Sequence, residues 1–190
     1  MNSYDYYGFS LNFDPEVVSI VNIRERVENH SKLREGTRMG ELFPANTVLD
    51  IFEDAGDIMT DFIDNISRVP IISSRVKEIF ESYGLDDENV EYLPVTIKDK
   101  RGEVIDADYY VANALMKIKC LDAEMTDPDT DSDPTVVEEP ELSNLRKDLI
   151  PEEAKFFRLS EMPQVIVIRS DLLDSLRKEN ITGLSLKRLP

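Results

Sequence analysis

The chain has little of what catalysis and disulfide scaffolds use: one cysteine, one histidine and no tryptophan in 190 residues. A single thiol, Cys120, excludes an intramolecular disulfide framework and fits a reducing compartment. A single imidazole, His30, would have to serve any Ser-His-Asp or Cys-His arrangement. It stands beside Ser31 and Lys32 in the polar run ENHSKLREGTRMG, where a solvated surface residue is the ordinary reading. No Gly-rich phosphate loop, CxxC, HExxH or GxSxG is present. The longest wholly apolar run is Val165–Ile168, far below the ~20 residues a membrane span needs. The opening MNSYDYYGFSLNF lacks the basic start and apolar centre of a secretory leader, so a cytoplasmic protein is expected.

Positive charge is also scarce. Thirty-nine acids stand against 22 Lys and Arg, a formal net charge of −17. The excess is local. Seven acids and no base lie between Gly40 and Arg68, and nine acids and no base between Asp122 and Glu141. The remaining 23 acids nearly balance the 22 bases. Such a chain repels nucleic acid and anionic membrane and suits a basic protein partner, although acidity also serves solubility alone.

What is present is enough apolar residue, 41%, for a real core. Asp108–Asp122, DYYVANALMKIKCLD, is the longest stretch that is apolar-rich and free of Pro and Gly. It reads as a strand pair, with Tyr109 and Val111 on one side and Met116, Ile118 and Cys120 alternating with Lys117 and Lys119. A helix reading also fits, but the YYV start and the KIKC alternation favour strand. Residues 1–14 alternate aromatic and polar, as a strand or an aromatic arm would. Val17–Val27 reads as a short strand or helix, and residues 28–40 as a loop. Pro44–Ile66 is open between two readings. One is a helix with Val48, Ile51, Phe52, Ile58, Phe62 and Ile66 on its buried stripe, interrupted at Gly56. The other is a strand at Thr47–Phe52 followed by a helix at Asp57–Asn65.

Two segments share one pattern. In IISSRVKEIF a strand meets Ser73 or Ser74 as cap and a helix Arg75–Tyr83 that Gly84 stops, followed by a strand Val90–Ile97. In VIRSDLLDSL a strand Val165–Ile168 meets Ser170 or Asp171 as cap and a helix with Leu172, Leu173 and Leu176, followed by a strand Leu184–Leu189. The expected fold is therefore α+β. It has a mixed or antiparallel sheet core, two strand-cap-helix-strand units whose shared pattern suggests pseudo-symmetry, and a long acidic loop at 122–141.

Asp127, Asp129, Asp131, Asp133 and Glu138 fall at calcium-loop positions 1, 3, 5, 7 and 12. Ser132 stands where that loop needs Gly, and Pro128 and Pro134 intrude, so a solvated acidic loop is expected and no metal or other cofactor. Acids are too numerous for any carboxylate pair to mark a catalytic site. Cys120 reads as a small core residue.

The order of motifs carries more than any one of them. A strand-Ser-helix unit with Ser74 is followed by Tyr109-Tyr110-x-x-Asn113 running into Cys120-Leu121-Asp122, then by Phe157-Arg158-Leu159, then by Ser170 and Thr182-Gly183-Leu184. Asp61-Phe62 precedes them. Over residues 36–189 this order resembles an immunity-protein family of bacterial polymorphic-toxin systems, long known only as a domain of unknown function. Such proteins accompany contact-dependent and type VI secretion. The resemblance implies a 36–190 immunity-type domain after an N-terminal region, 1–35. It also implies a non-enzymatic cytoplasmic protein that binds and neutralises a cognate toxin, and structural roles for Tyr109, Tyr110, Asn113, Cys120 and Asp122. It supplies no interface residues. Charge places these first at Glu53, Asp54, Asp57 and Asp61, then at Asp127, Asp129, Asp131 and Asp133, facing a toxin that could be a basic nuclease-type domain. An acidic DNA mimic, which would block several DNA binders, and a carboxylate–metal hydrolase, which chelator would stop, are the alternatives.

Overall fold

A computed structural model describes residues 4–11, 14–122 and 145–190. The two repeated segments each form a split β-α-β unit. In the first, β5 (Ile71–Ser73) leads into α3 (Ser74–Ser82) and then β6 (Val90–Lys98). Strand β7 (Tyr109–Ala114) inserts between β5 and β6 and is antiparallel to both, so the two run parallel. In the second, β10 (Ile166–Arg169) leads into α4 (Ser170–Lys178) and β11 (Leu184–Leu189). Here β1 (Tyr6–Leu11) is the antiparallel insert. The N-terminal segment is thus an inner strand of a sheet.

Around these units grow two sheets. One has the order β11-β1-β10-β9-β8, where β8 is Lys117–Ile118 and β9 is Phe156–Leu159. The other has the order β2-β4-β5-β7-β6-β3, where β2 is Ser19–Ile20, β3 Val48–Asp50 and β4 Phe62–Asn65. The fold is α+β and mostly sheet. DYYVANALMKIKCLD forms the expected strand pair, but its two strands serve different sheets, so this stretch carries the chain from one to the other.

Alternation along the strands gives each sheet two apolar faces. Ile63, Ile71, Val111, Leu93 and Tyr109 belong to an outer core closed by residues 18–49. Phe62, Ile72 and Ala112 belong to a middle core shared with Phe156, Ile166 and Ile168 of the other sheet and with Val76, Phe80, Leu172, Leu173 and Leu176 of the two helices. Phe9, Phe62, Phe80 and Phe156 close a four-ring cycle there, with centroids 4.9–6.5 Å apart. A third core holds Tyr6, Ile118, Cys120, Phe157 and Val167.

Three readings are corrected. The Pro44–Ile66 helix does not form, nor does the shorter one at Asp57–Asn65. Strand β3 occupies 48–50, and β4 stands where the short helix was expected. Phe62 and Ile63 are buried on opposite faces of the sheet, and two-sided burial imitates a helical stripe. Gly56 also lies flat on residue 16, where a Cβ would come within 1.9 Å of the Glu16 carbonyl. After α1 (Ile23–Arg26), the 28–40 loop contains α2 (Ser31–Arg34), with Leu33 buried. The cap of α4 is Arg169, one residue before Ser170; its guanidinium forks onto Asp171 at 2.7 and 2.9 Å.

The Thr182-Gly183-Leu184 turn joins the second unit to the first. Phe62 N donates to Thr182 O at 3.0 Å. Gly183 has φ +82, and a Cβ there would lie 2.0 Å from Phe62 O. Gly183→Ala is expected to cost at least about 2 kcal/mol, from the left-handed backbone and the clash together. A urea titration checks this; an unchanged midpoint refutes it.

Candidate functional site

The expected site residues part into an interior and a surface group. Asp61 is interior, with 8% exposure. Its Oδ1 accepts from Ser73 Oγ at 2.8 Å and Arg75 Nη1 at 3.2 Å. Its Oδ2 accepts from Thr182 N and Oγ1, both at 3.1 Å. The carboxylate expected to face a partner is thus turned inward. Asn113 is fully buried on β7 and donates to Thr37 O and to Glu91, while Glu91 accepts from Met39 N and Gly40 N. Tyr109 donates to Thr60 O, and burial, with Asp61 nearby, pushes its phenol up to about 12. Tyr110 is half-buried beneath the Lys77 ammonium, 4.8 Å from the ring centroid. Cys120 is buried; desolvation, with Glu161 adding, pushes its thiol up to about 12, far from a thiolate at neutral pH. Asp122 is half-buried at the edge of the described residues.

Sequence reasoning passed over Arg158, the centre of Phe-Arg-Leu. It is 2% exposed, and its guanidinium meets four main-chain carbonyls and, among the described residues, no carboxylate. Nε donates to Ala114 O, Nη1 to Arg34 O and Pro163 O, and Nη2 to Leu33 O, at 2.7–2.9 Å. Burial, with Arg34 nearby, lowers its pKa to about 10, so it stays charged at neutral pH. A lone base among the buried residues of β9 was the signal available.

On the surface, Glu53, Asp54 and Asp57 lie together on one exposed loop. Asp57 pairs with Lys100 at 2.8 Å, which holds its carboxyl below the ordinary range. Asp50 pairs with Arg26. Glu53 and Asp54 have no ion-pair partner among the described residues. Asp127, Asp129, Asp131 and Asp133, with the calcium-loop reading, lie outside the described residues.

The loop forms one lip of a groove of about 850 Å³. The groove exists because β1 and β10 part. Their ladder ends at Gly8–Val167, whereas the β1–β11 ladder runs on to Leu11–Leu184. Phe9–Leu11 form one wall and Gln164–Ile166 another, and Val17, Phe52, Asp54, Ala55 and Ile66 line the side facing them. Phe52 is 44% and Ile66 55% exposed; Ile58, at 54%, bridges Val17 of the same wall. One of the two readings open for Pro44–Ile66 had these three on a buried stripe. The lining carries three acids, Asp14, Asp54 and Asp64, against three bases, Arg34, Arg68 and Lys187, and Glu53 stands beside it on the same loop as Asp54. An apolar hollow with a charged rim is the pattern of a protein-binding surface. Among the described residues no three His, Cys, Asp or Glu converge as metal ligands, and no helix is long and apolar enough to cross a membrane.

No curated protein matches the chain. The model of one family, described as Immunity protein family (Imm11), matches residues 10–189, which takes in the last two residues of β1 as well as the motif-bearing part. With nearly its whole length matched, the chain belongs to the Imm11 immunity protein family.

Proposed function

We propose that this protein neutralises a cognate bacterial toxin by occupying it, as a non-catalytic inhibitor acting in the cytoplasm of the cell it protects. The observation that carries this reading is the family match over residues 10–189. Charge supports it: a chain of net charge −17 in which Glu53 and Asp54, unpaired among the described residues, lie beside exposed apolar side chains suits a basic toxin surface, such as a nuclease's substrate groove.

The test is co-expression with the toxin domain encoded by the adjacent gene. Cells carrying both genes survive, and the two proteins co-elute from a sizing column. Survival without a complex, or a complex without protection, overturns the reading. Association is expected to slow and weaken from about 0.1 M to about 1 M salt, where the screening length falls from ~10 to ~3 Å. Kinetics that ignore salt over that range refute the electrostatic part. A DNA mimic would instead inhibit several unrelated DNA binders.

A further inference from the structure

We propose that the groove between β1 and β10 admits an extended segment of the toxin's chain, which seats a large apolar side chain against Phe52 and Ile66 and an adjacent Lys or Arg on Glu53 and Asp54. This rests on the immunity reading and adds where and how the partner is held.

Three observations converge on the groove. The first is backbone: beyond Gly8, β1 keeps its partner on the β11 side but loses β10, so among the described strands Phe9–Leu11 are laddered on one side only. Main-chain N–H and C=O groups on an open strand side are satisfied by water or by an added strand, and strand addition is a recurrent way of holding a peptide. The second is apolar surface. Of the six most exposed large apolar side chains among the described residues, Phe52 and Ile66 line this groove and Ile58 flanks it. Removing such a cluster from water favours association, and an aromatic at the centre of a contact is a typical anchor. The third is charge. Asp50 and Asp57 are paired with Arg26 and Lys100, but Glu53 and Asp54, next to Phe52, are not paired among the described residues. An apolar anchor next to two free acids calls for an apolar side chain next to a cation.

The test uses the full chain and the purified toxin domain. Phe52→Asp and Ile66→Lys are expected to weaken binding about 100-fold each, and the double change Glu53→Lys with Asp54→Lys to slow association about tenfold. Val104→Asp and Leu149→Asp, at other exposed apolar positions, should bind as wild type. All these sites are exposed, and matched melting curves confirm that the variants fold. In the wild-type complex the groove-facing amides among Phe9–Leu11 should exchange hydrogen more slowly than in the free chain. Groove variants that bind as tightly as wild type, with those amides unchanged, overturn the groove while leaving the immunity reading intact. Equal losses from Leu149→Asp or Val104→Asp overturn it too. If Phe52→Asp converts a free dimer to monomer without changing toxin affinity, the occupant is a second copy and the proposal fails. If wild type forms no complex at all, the immunity reading fails, and the groove assignment with it.

Discussion

Arg158→Ala is expected to lower stability by about 4 kcal/mol, which for a domain of ordinary stability, about 5–15 kcal/mol, is a large share. The substitution takes a donor from the carbonyls of Leu33, Arg34, Ala114 and Pro163, of which Leu33 O keeps a longer bond from Gly36 N at 3.4 Å. Each buried polar group so orphaned costs about 1–3 kcal/mol, reduced where water enters the space left behind. Two of those carbonyls end α2, so the 28–40 segment should loosen first and show early hydrogen exchange. Arg158→Lys keeps the charge, but one ammonium cannot spread its donors over four carbonyls, and about 2 kcal/mol should still be lost. Urea titrations of the three proteins decide this. A loss under about 1 kcal/mol for Arg158→Ala would mean that the four contacts add nothing beyond what water supplies.

Asp61→Ala should cost about 3 kcal/mol, because it strips donors on three elements of their acceptor: Ser73 at the end of β5, Arg75 on α3, and Thr182 before β11. Asp61 N donates in turn to Thr182 Oγ1 at 3.1 Å, so the two residues clasp each other across 121 positions of sequence. Thr182→Val removes the hydroxyl but keeps the N–H and should cost about 1 kcal/mol. The double variant should cost less than the sum of the two, since they share the same bonds. Strict additivity would show that clasp and turn act independently. Because Asp61 is buried, its loss should reach toxin binding only through stability. At concentrations where the variant is folded, affinity should match wild type, in contrast to Phe52→Asp.

Much of this arrangement was legible in the residues. Alternation in Tyr109–Cys120 marked strands because each face of a sheet meets a different core. The two strand-cap-helix-strand units were visible because an apolar helical face between a polar start and a closing glycine is a local signal, although the cap of α4 proved to be Arg169 and not Ser170 or Asp171. The motif order pointed to the family that the full-length match then established.

What was not legible depended on neighbours distant in sequence. Phe52, Ile58 and Ile66 have the composition of core residues, and only the splitting of β1 from β10 and the laying of the 52–58 loop along residues 16–18 leave them exposed. Asp61 and Asp57 are both acids in the same charged block. One is buried because Thr182 folds back over it, and the other is exposed beside Lys100. Composition and local periodicity determined the class of fold, the strands and helices with strong patterns, and the acidity. The tertiary structure alone decided which acids and which apolar side chains face outward, because burial is set by contacts between segments far apart in the chain, and no local pattern encodes those.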